Sequence, residues 1–247
     1  AVLAIDEGRY FDPESIEAAE DAGALSGQKN RVLDIGLASL IFCVARKESG
    51  ARGVAVISSD AEGVEISPKR FMDLHGHGSL VLNSVKNDAI DWLEGSDVEG
   101  GLARAIDQAT AVLAAEMMGS AREALEQTVT YLGEREQFDV KLGTFQALQH
   151  RCAQMYCELE LAESAVVAAL TGLDKGASNI SALVSSAKAL ANDCFTLISG
   201  EAVQLHGGMG VTEEMDIGLF LKRSRVCNQL LGSSSYHRDR FASLQGF

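Results

Sequence analysis

The sequence predicts an α+β protein in which a small antiparallel β domain precedes an antiparallel four-helix bundle. Both prolines, Pro13 and Pro68, lie in the first 68 residues, and proline disrupts a helix because it lacks the backbone donor. Short runs rich in β-branched residues occupy the first hundred residues. From residue 99 on, apolar residues recur every three or four positions, which is the spacing of one helix face.

The β domain is predicted over residues 1–98. Its expected strands are short apolar runs separated by clusters of turn-forming residues. Gly95, Gly100 and Gly101 mark its end. The runs that predict strands are 32–33, 38–45, 53–58 and 79–82.

The helical region is predicted over residues 99–247. Its first helix buries one apolar stripe, its second carries a three-and-four repeat over 145–173, and its third carries a similar stripe over 180–198. Gly133 and Gly176 lie near the expected breaks, as helix caps or loop residues do. The first stripe consists of Ile106, Leu113, Met117, Ala121, Ala124, Leu125, Val129 and Leu132.

The last helix is predicted over residues 213–244, with an interruption near Gly232. Gly207, Gly208 and Gly210 separate it from the third helix. The third stripe has more apolar surface than one bundle face needs, and this surplus favours an oligomer.

The charge and composition exclude several classes of protein. The net charge is −14, which argues against nucleic acid or an anionic membrane as the main partner. The longest charge-free apolar run, residues 35–45, is shorter than the roughly 18 residues that a transmembrane helix needs. The first ten residues lack the pattern of a signal peptide, and the five cysteines are scattered. We therefore expect a cytoplasmic protein without membrane insertion.

A metal site is not predicted. A di-iron bundle needs Glu-x-x-His pairs that project inward, and no Glu of this chain is followed by His three residues later. His75 and His77 flank Gly76, a pattern more typical of a turn than of a ligand pair. The glycine-rich run 206–210 does not match the GxGxxG nucleotide-binding motif.

Two longer segments carry a more specific signal. Residues 135–150 are REQFDVKLGTFQALQH, and residues 201–214 are EAVQLHGGMGVTEE. They resemble the RxxFGxxLxxFQxxQ and QxxGGxGxTxE stretches of the acyl-CoA dehydrogenase family, in the same order. Residues 25–46 look like the start of that family's central domain. The resemblance covers nearly the whole chain and implies a partial, barrel-like middle domain followed by a C-terminal helical bundle for FAD binding and oligomerisation.

The resemblance implies an FAD site in the helical region. Arg135 corresponds to the residue facing the flavin pyrophosphate, since a forked guanidinium suits two phosphate oxygens. Each candidate has a structural alternative: Arg135 as a plain surface residue, the aromatic residues as core, and the glycines as shapers of a turn. The resemblance also implies that Gln204 and Gly208 approach the adenine and pyrophosphate of the FAD of a neighbouring subunit. The expected cofactor-binding residues are Arg135, Phe138, Phe145, Gln146, Gln204, Gly207 and Gly208, and Gln146 is a weaker candidate, as is Gln149.

The resemblance also implies that this chain lacks the carboxylate that serves as the catalytic base in the family. The family reaction removes the α-proton of an acyl-CoA thioester while the β-hydrogen leaves as hydride to the flavin, and it needs a carboxylate base. That base usually precedes a Gly-Thr pair, and here the position before Gly232 holds Leu231. A minority of members place the base near the position of Ala109. Neither residue accepts a proton. The carboxylates that remain as substitutes are Glu116, Glu213, Glu214 and Asp239.

Three hypotheses follow. The run 231–238 resembles the non-catalytic subunits of bacterial heterotetrameric acyl-CoA dehydrogenases. We also expect the family's N-terminal helical domain to be missing before Ala1. The favoured hypothesis is therefore an oxidoreductase subunit of fatty acid or steroid catabolism that uses FAD and acyl-CoA. It lacks its own base and works as a homo- or heterotetramer with a Glu-bearing homologue. The alternatives are a competent enzyme with a base at Glu116 or Asp239, and a structural or binding protein that has lost flavin and activity.

Overall fold

The computed structural model describes residues 1–93, 95 and 97–247, and these form two compact units, Ala1–Ala105 and Ile106–Phe247. The first unit contains the strands of the β domain. A 3₁₀ turn at Ile35–Leu37 lies between two of them. The strands are β1 (Val2–Ala4), β2 (Ala19–Asp21), β3 (Ala24–Leu33), β4 (Leu40–Arg46), β5 (Arg52–Ser58), β6 (Val64–Arg70), β7 (Gly76–Lys86) and β8 (Ile90–Trp92).

The predicted α+β class is confirmed, but the sheet is not wholly antiparallel. The strand order is β6-β7-β3-β2-β4-β5-β8, and β1 pairs with β4. The pairings of β1 and of β2 with β4 are parallel. Strands of three residues carry too few side chains for a sequence pattern to reveal their pairing. Pro68 lies in β6, at the end of the strand order, where a missing backbone donor is tolerated.

The second unit is helical. Helix α1 (Val98–Glu134) begins in the first unit and continues into the second. A hairpin of β9 (Glu136–Gln137) and β10 (Val140–Lys141) follows it. The remaining helices are α2 (Gln146–Lys175), α3 (Ile180–His206), α4 (Ile217–Cys227) and α5 (Ser234–Leu244).

The helix predictions are mostly confirmed, with one correction. Gly176 ends α2 in the left-handed conformation, at a φ of 63°. The expected last helix begins at Ile217 instead of residue 213, and its predicted interruption near Gly232 is confirmed by the break between α4 and α5. The predicted stripe of α1 is buried at all but two positions: Ile106 is half-buried, and Val129 is 50% exposed.

Helix α3 is the central helix of this unit. It packs against α2, α4 and α5, and it buries residues on several sides. Of the predicted stripe, Ala187, Cys194 and Ile198 are buried, Ile180, Leu183 and Leu197 are half-buried, and Leu190 is 39% exposed. Part of the apolar surface that predicted an oligomer is therefore left open by the described residues, and the tetramer stays a prediction.

No helix in the described part of the chain combines the length and the apolar character needed to cross a membrane.

Candidate functional site

The hairpin after α1 carries the first group of candidate residues. Phe138 and Asp139 form its two-residue turn, at φ values of 59° and 63°. Two consecutive positive φ angles are the mark of a type I′ turn, which matches the twist of a hairpin. A bulky residue such as Phe138 rarely adopts this conformation. Phe138 is also 83% exposed, so the hairpin presents an aromatic ring that the described residues of this chain leave uncovered.

The backbone around Arg135 joins the hairpin to the helices on either side. Its N–H donates to the carbonyl of Tyr131, and its own carbonyl accepts from the N–H of Leu142 at 2.9 Å. The Arg135 side chain is exposed. Its guanidinium is therefore placed at the base of the hairpin and open to an anionic ligand.

Phe145 and the start of α2 complete this side. The Phe138 and Phe145 rings meet edge to face, with centroids 6.2 Å apart. Gln146 is exposed at the first position of α2. Gln149, in contrast, donates its side-chain amide to the carbonyl of Gly143 at 2.8 Å, which ties it to the local fold.

The glycine-rich turn after α3 carries the second group. Gln204, Gly207 and Gly208 are exposed, and a Cβ at either glycine would meet no atom within 4 Å. Gly207 has a φ of 60°. Gly210 is different because a Cβ there would lie 2.5 Å from the carbonyl oxygen of Val203. Packing therefore requires Gly210, whereas Gly208 leaves open space at the surface.

A stacking contact joins the two groups. The Tyr131 ring lies on the His206 ring at a centroid distance of 4.3 Å, and the Tyr131 hydroxyl donates to the His206 carbonyl at 3.4 Å. Because a carbonyl only accepts, the 2.8 Å bond from His206 Nδ1 to Ala202 places a proton on Nδ1. The hairpin and the glycine-rich turn therefore lie at the same end of the helical unit. The sequence did not reveal this contact, since Tyr131 and His206 belong to separate stripes.

Residues 228–232 lie between α4 and α5, and we call them the Leu231 turn. Leu231 is half-buried, with a φ of 54°, and Gly232 follows with a φ of 106°. His237 donates from Nε2 to the Leu231 carbonyl at 2.8 Å. His237 is 1% exposed, and this burial lowers its pKa from 6.5 to about 4. The imidazole is therefore neutral at physiological pH.

Lys188 of α3 contacts the same turn. Its ammonium donates to the carbonyls of Cys227, at 2.9 Å, and Gly232, at 3.3 Å. It also donates to Asn192 Oδ1 at 2.7 Å. Burial lowers the pKa of Lys188 from 10.5 to about 7. The sequence analysis missed Lys188 because a lysine in a helix is usually a surface residue.

The candidate substitute bases are at the surface. Glu116 accepts two hydrogen bonds from Arg223, at 2.8 and 3.1 Å. Glu213, Glu214 and Asp239 are exposed, and so is Ala109. Within the described residues, no three His, Cys, Asp or Glu side chains gather as metal ligands would.

Comparisons with known proteins agree with these motifs. The family model described as "Acyl-CoA dehydrogenase, C-terminal domain" matches residues 102–244. Over 126 residues the chain is 38% identical to "Acyl-CoA dehydrogenase IpdE2" of Mycolicibacterium smegmatis, a match covering 51% of this chain and 39% of that protein. Over 246 residues it is 30% identical to "Acyl-CoA dehydrogenase FadE34" of Mycobacterium tuberculosis, covering 99% of this chain and 32% of that protein.

A solved structure shares the fold. It is a variant of the Tcur3481-Tcur3483 steroid ACAD, with a TM-score of 0.86 and 29% identity. The match covers 98% of this chain and 66% of that one. The chain thus spans well under half the length of the two curated relatives and about two thirds of the solved chain.

Proposed function

The chain belongs to the acyl-CoA dehydrogenase family, and from that membership we propose that it is an FAD-binding subunit that does not supply the catalytic base. The reaction is the α,β-dehydrogenation of an acyl-CoA thioester. The observation that carries the proposal is the Tyr131–His206 stack, because it places the hairpin and the glycine-rich turn at one end of the helical unit. Two segments of separate sequence thereby form one exposed surface.

The residues of this surface fit FAD. Arg135 offers a forked guanidinium to the two phosphate groups, and Gly207 and Gly208 leave room for close backbone approach. Phe138 and Phe145 provide an apolar wall for the adenine end, and Gln146 and Gln204 are exposed amides for polar contacts. When bound, FAD supplies the acceptor for the hydride that leaves the β-carbon.

The Leu231 turn supports the proposal that this chain does not supply the catalytic base. Leu231 has no group that takes a proton, and the loss of a positioned base lowers a rate by roughly 10²–10⁴-fold. Glu116, one of the carboxylates considered as a substitute base, already accepts two hydrogen bonds from the Arg223 side chain. The α-proton is therefore removed by a carboxylate of another subunit.

The partner is a Glu-bearing homologue in a heterotetramer. The Tcur3481-Tcur3483 protein is named for two components and described as a steroid ACAD, which supports a two-component assembly and a steroid or fatty acyl-CoA substrate for this chain. The exposed Phe138 ring is consistent with a surface that a second subunit or the cofactor covers.

The first experiment is a visible absorption spectrum of the purified chain with added FAD, followed by a panel of acyl-CoAs. We expect flavin bands that acyl-CoA does not bleach, and bleaching only after the Glu-bearing partner is added. Bleaching by the chain alone indicates a base elsewhere and contradicts the base-less assignment. A chain that stays colourless even with its partner supports a structural family member that has lost flavin.

Matched variants test the residues. Arg135→Met removes a charge-assisted contact worth about 1.5–3 kcal/mol, so the Kd for FAD rises about ten-fold or more. Gly208→Val fills open space at the surface and weakens FAD binding without unfolding the chain. Arg104→Met is the control, because Arg104 is an exposed arginine near the start of α1 that pairs with Asp97. Equal FAD affinity in Arg135→Met and Arg104→Met rules out the assigned site.

A further inference from the structure

Lys188 is a fully buried cation whose hydrogen-bond acceptors are all neutral. Its exposed fraction is 0%. An ammonium has three donors, and here they go to the amide oxygen of Asn192 and to the backbone carbonyls of Cys227 and Gly232. A buried charge is costly unless it is compensated, so a lysine in this setting calls for an explanation.

The positions of the three hydrogen-bond acceptors provide an explanation for the burial of Lys188. Cys227 is the last residue of α4, where the carbonyls carry the partial negative charge of the helix dipole. Gly232 lies directly after Leu231, and its carbonyl also accepts from the Asn192 amide at 3.3 Å. The two backbone contacts of Lys188 therefore lie on either side of Leu231. The Leu231 carbonyl itself is held by His237.

We propose that Lys188 is the positioning residue of the Leu231 turn: its ammonium holds the carbonyls on both sides of Leu231, and the turn loosens when that ammonium loses its proton. A neutral amine keeps two donors for three oxygens, and it loses the charge that attracts the end of α4. Leu231 sits in the left-handed region, which a leucine adopts only under local constraint. The constraint is weakest when one of its carbonyl contacts is lost.

Both protonation states of Lys188 are populated near neutral pH, because burial lowers its pKa to about 7. The titratable groups around it lie on the two neighbouring helices. Cys227 of α4 interacts electrostatically with Lys188, and His237 of α5 does so as well. Asp107 and Arg240 act on His237 from the far side.

Within the described residues, no charged group of α2 contributes to the pKa shift of Lys188. The carboxylates of α2 that act on α3, Glu158 and Glu163, affect the thiol of Cys194 and not Lys188. The protonation of Lys188 therefore depends on burial and on the groups around the Leu231 turn. The contact between Lys188 and the turn does not depend on the proposed function.

The test is an NMR titration of the full chain without FAD or acyl-CoA, labelled with ¹⁵N and with ¹³C-lysine. Between about pH 5.5 and about pH 9 the Lys188 side-chain signal and the amide signals of Gly232 and Ser233 should shift together, with one midpoint near 7. Coincident midpoints in the unmodified chain support the proposal without any variant. Turn amides that stay constant while Lys188 titrates overturn it.

Two variants complete the test. In Lys188→Met the Gly232 and Ser233 amides should no longer titrate near pH 7, and in Lys175→Met, which removes an exposed lysine of α2, they should titrate as before. Persistent titration in Lys188→Met assigns the effect to another group and overturns the proposal. Because no cofactor is present, a failure here leaves the proposed function intact, and a failure of FAD binding leaves this result intact.

Discussion

Each unit of this protein contains a fully buried lysine, and the two lysines are stabilised in different ways. Lys29 of the first unit pairs with the carboxylate of Glu7 and donates to the carbonyl of Ile5 at 3.3 Å. Lys188 of the second unit contacts only neutral oxygens through its hydrogen bonds. One buried cation is neutralised by an opposite charge, and the other is solvated by the chain in place of water.

The ion pair of Lys29 and the hydrogen bonds of Lys188 are therefore suited to different roles. The Glu7 carboxylate also accepts from the backbone N–H of Ala18 at 3.0 Å, so the Lys29 pair joins residues 5–18 to β3 as a permanent connection. Lys188 responds to changes in pH near neutrality, because burial lowers its pKa to about 7. The Lys29 pair is thus suited to holding structure, and the Lys188 site to adjusting it.

The largest expected effect is at Lys29. Lys29→Met leaves the largely buried Glu7 carboxylate without its cation, and breaking a buried pair in this way costs about 3–5 kcal/mol of unfolding free energy. Urea unfolding of the variant measures the loss. The double variant Lys29→Met with Glu7→Gln should recover most of it, and a double variant as unstable as the single one contradicts the pairing argument.

The next effect concerns the acid stability of the Leu231 turn. The folded pKa of His237 is about 4 and its unfolded value is 6.5, so between these values the unfolded chain binds a proton that the folded chain does not. Stability is therefore lost as the pH falls below 6.5, and the two values correspond to about 3 kcal/mol. His237→Gln should remove most of this dependence when thermal unfolding is compared across that range. An unchanged acid profile in His237→Gln would show that another group controls it.

A smaller effect is expected at Lys188 itself. Lys188→Met removes one donor from each of three neutral oxygens but creates no unpaired charge, so it costs about 1–3 kcal/mol at neutral pH, less than Lys29→Met. The pH dependence has a defined sign: above pH 7 the folded lysine is neutral while the unfolded one stays charged, so wild-type stability rises with pH. Urea unfolding at neutral and alkaline pH measures this rise, which Lys188→Met should lack. A loss of unfolding free energy larger than that of Lys29→Met contradicts this comparison of the two buried lysines.

The smallest effect is expected for the exposed cation on the outer side of α5. Arg238 pairs with Asp193, and Ser234 donates to the same carboxylate at 2.7 Å. Exposed ion pairs contribute about 0–1 kcal/mol, so Arg238→Met should change the unfolding free energy by no more than that. The same variant should leave the Gly232 amide titration unchanged. A large effect would mean that the Leu231 turn is held from outside instead of by Lys188.

Much of the fold could be predicted from sequence, and the failures have physical reasons. The periods of the long helices were clear because each buries one stripe over several turns. The parallel pairings of β1 and β2 were missed because three-residue strands carry no readable period. The break between α4 and α5 was placed near Gly232, but the left-handed conformation of Leu231 was not expected, since tertiary contacts at its carbonyl stabilise it.

Some features of the candidate site could likewise be predicted from the sequence, and others could not. The residue strings 135–150 and 201–214 predicted both proposed FAD segments, and Leu231 before Gly232 predicted that the chain lacks the usual base. The contact of Tyr131 with His206 could not be predicted, because it joins residues 75 positions apart. The role of the assigned FAD residues stays a prediction that the spectra and variants test.

The sequence by itself determined the class of fold, the family motifs and the residue types available at each candidate position, because these depend on local periodicity and on short strings. Only the tertiary structure decided which side chains are buried. Ser185, Lys188 and Asn192 form a polar stripe at helical spacing, which in an isolated helix is typical of a solvated face. In the folded chain α4, α5 and the Leu231 turn cover this stripe, because the carbonyls of Cys227 and Gly232 and the guanidinium of Arg240 replace the hydrogen bonds of water.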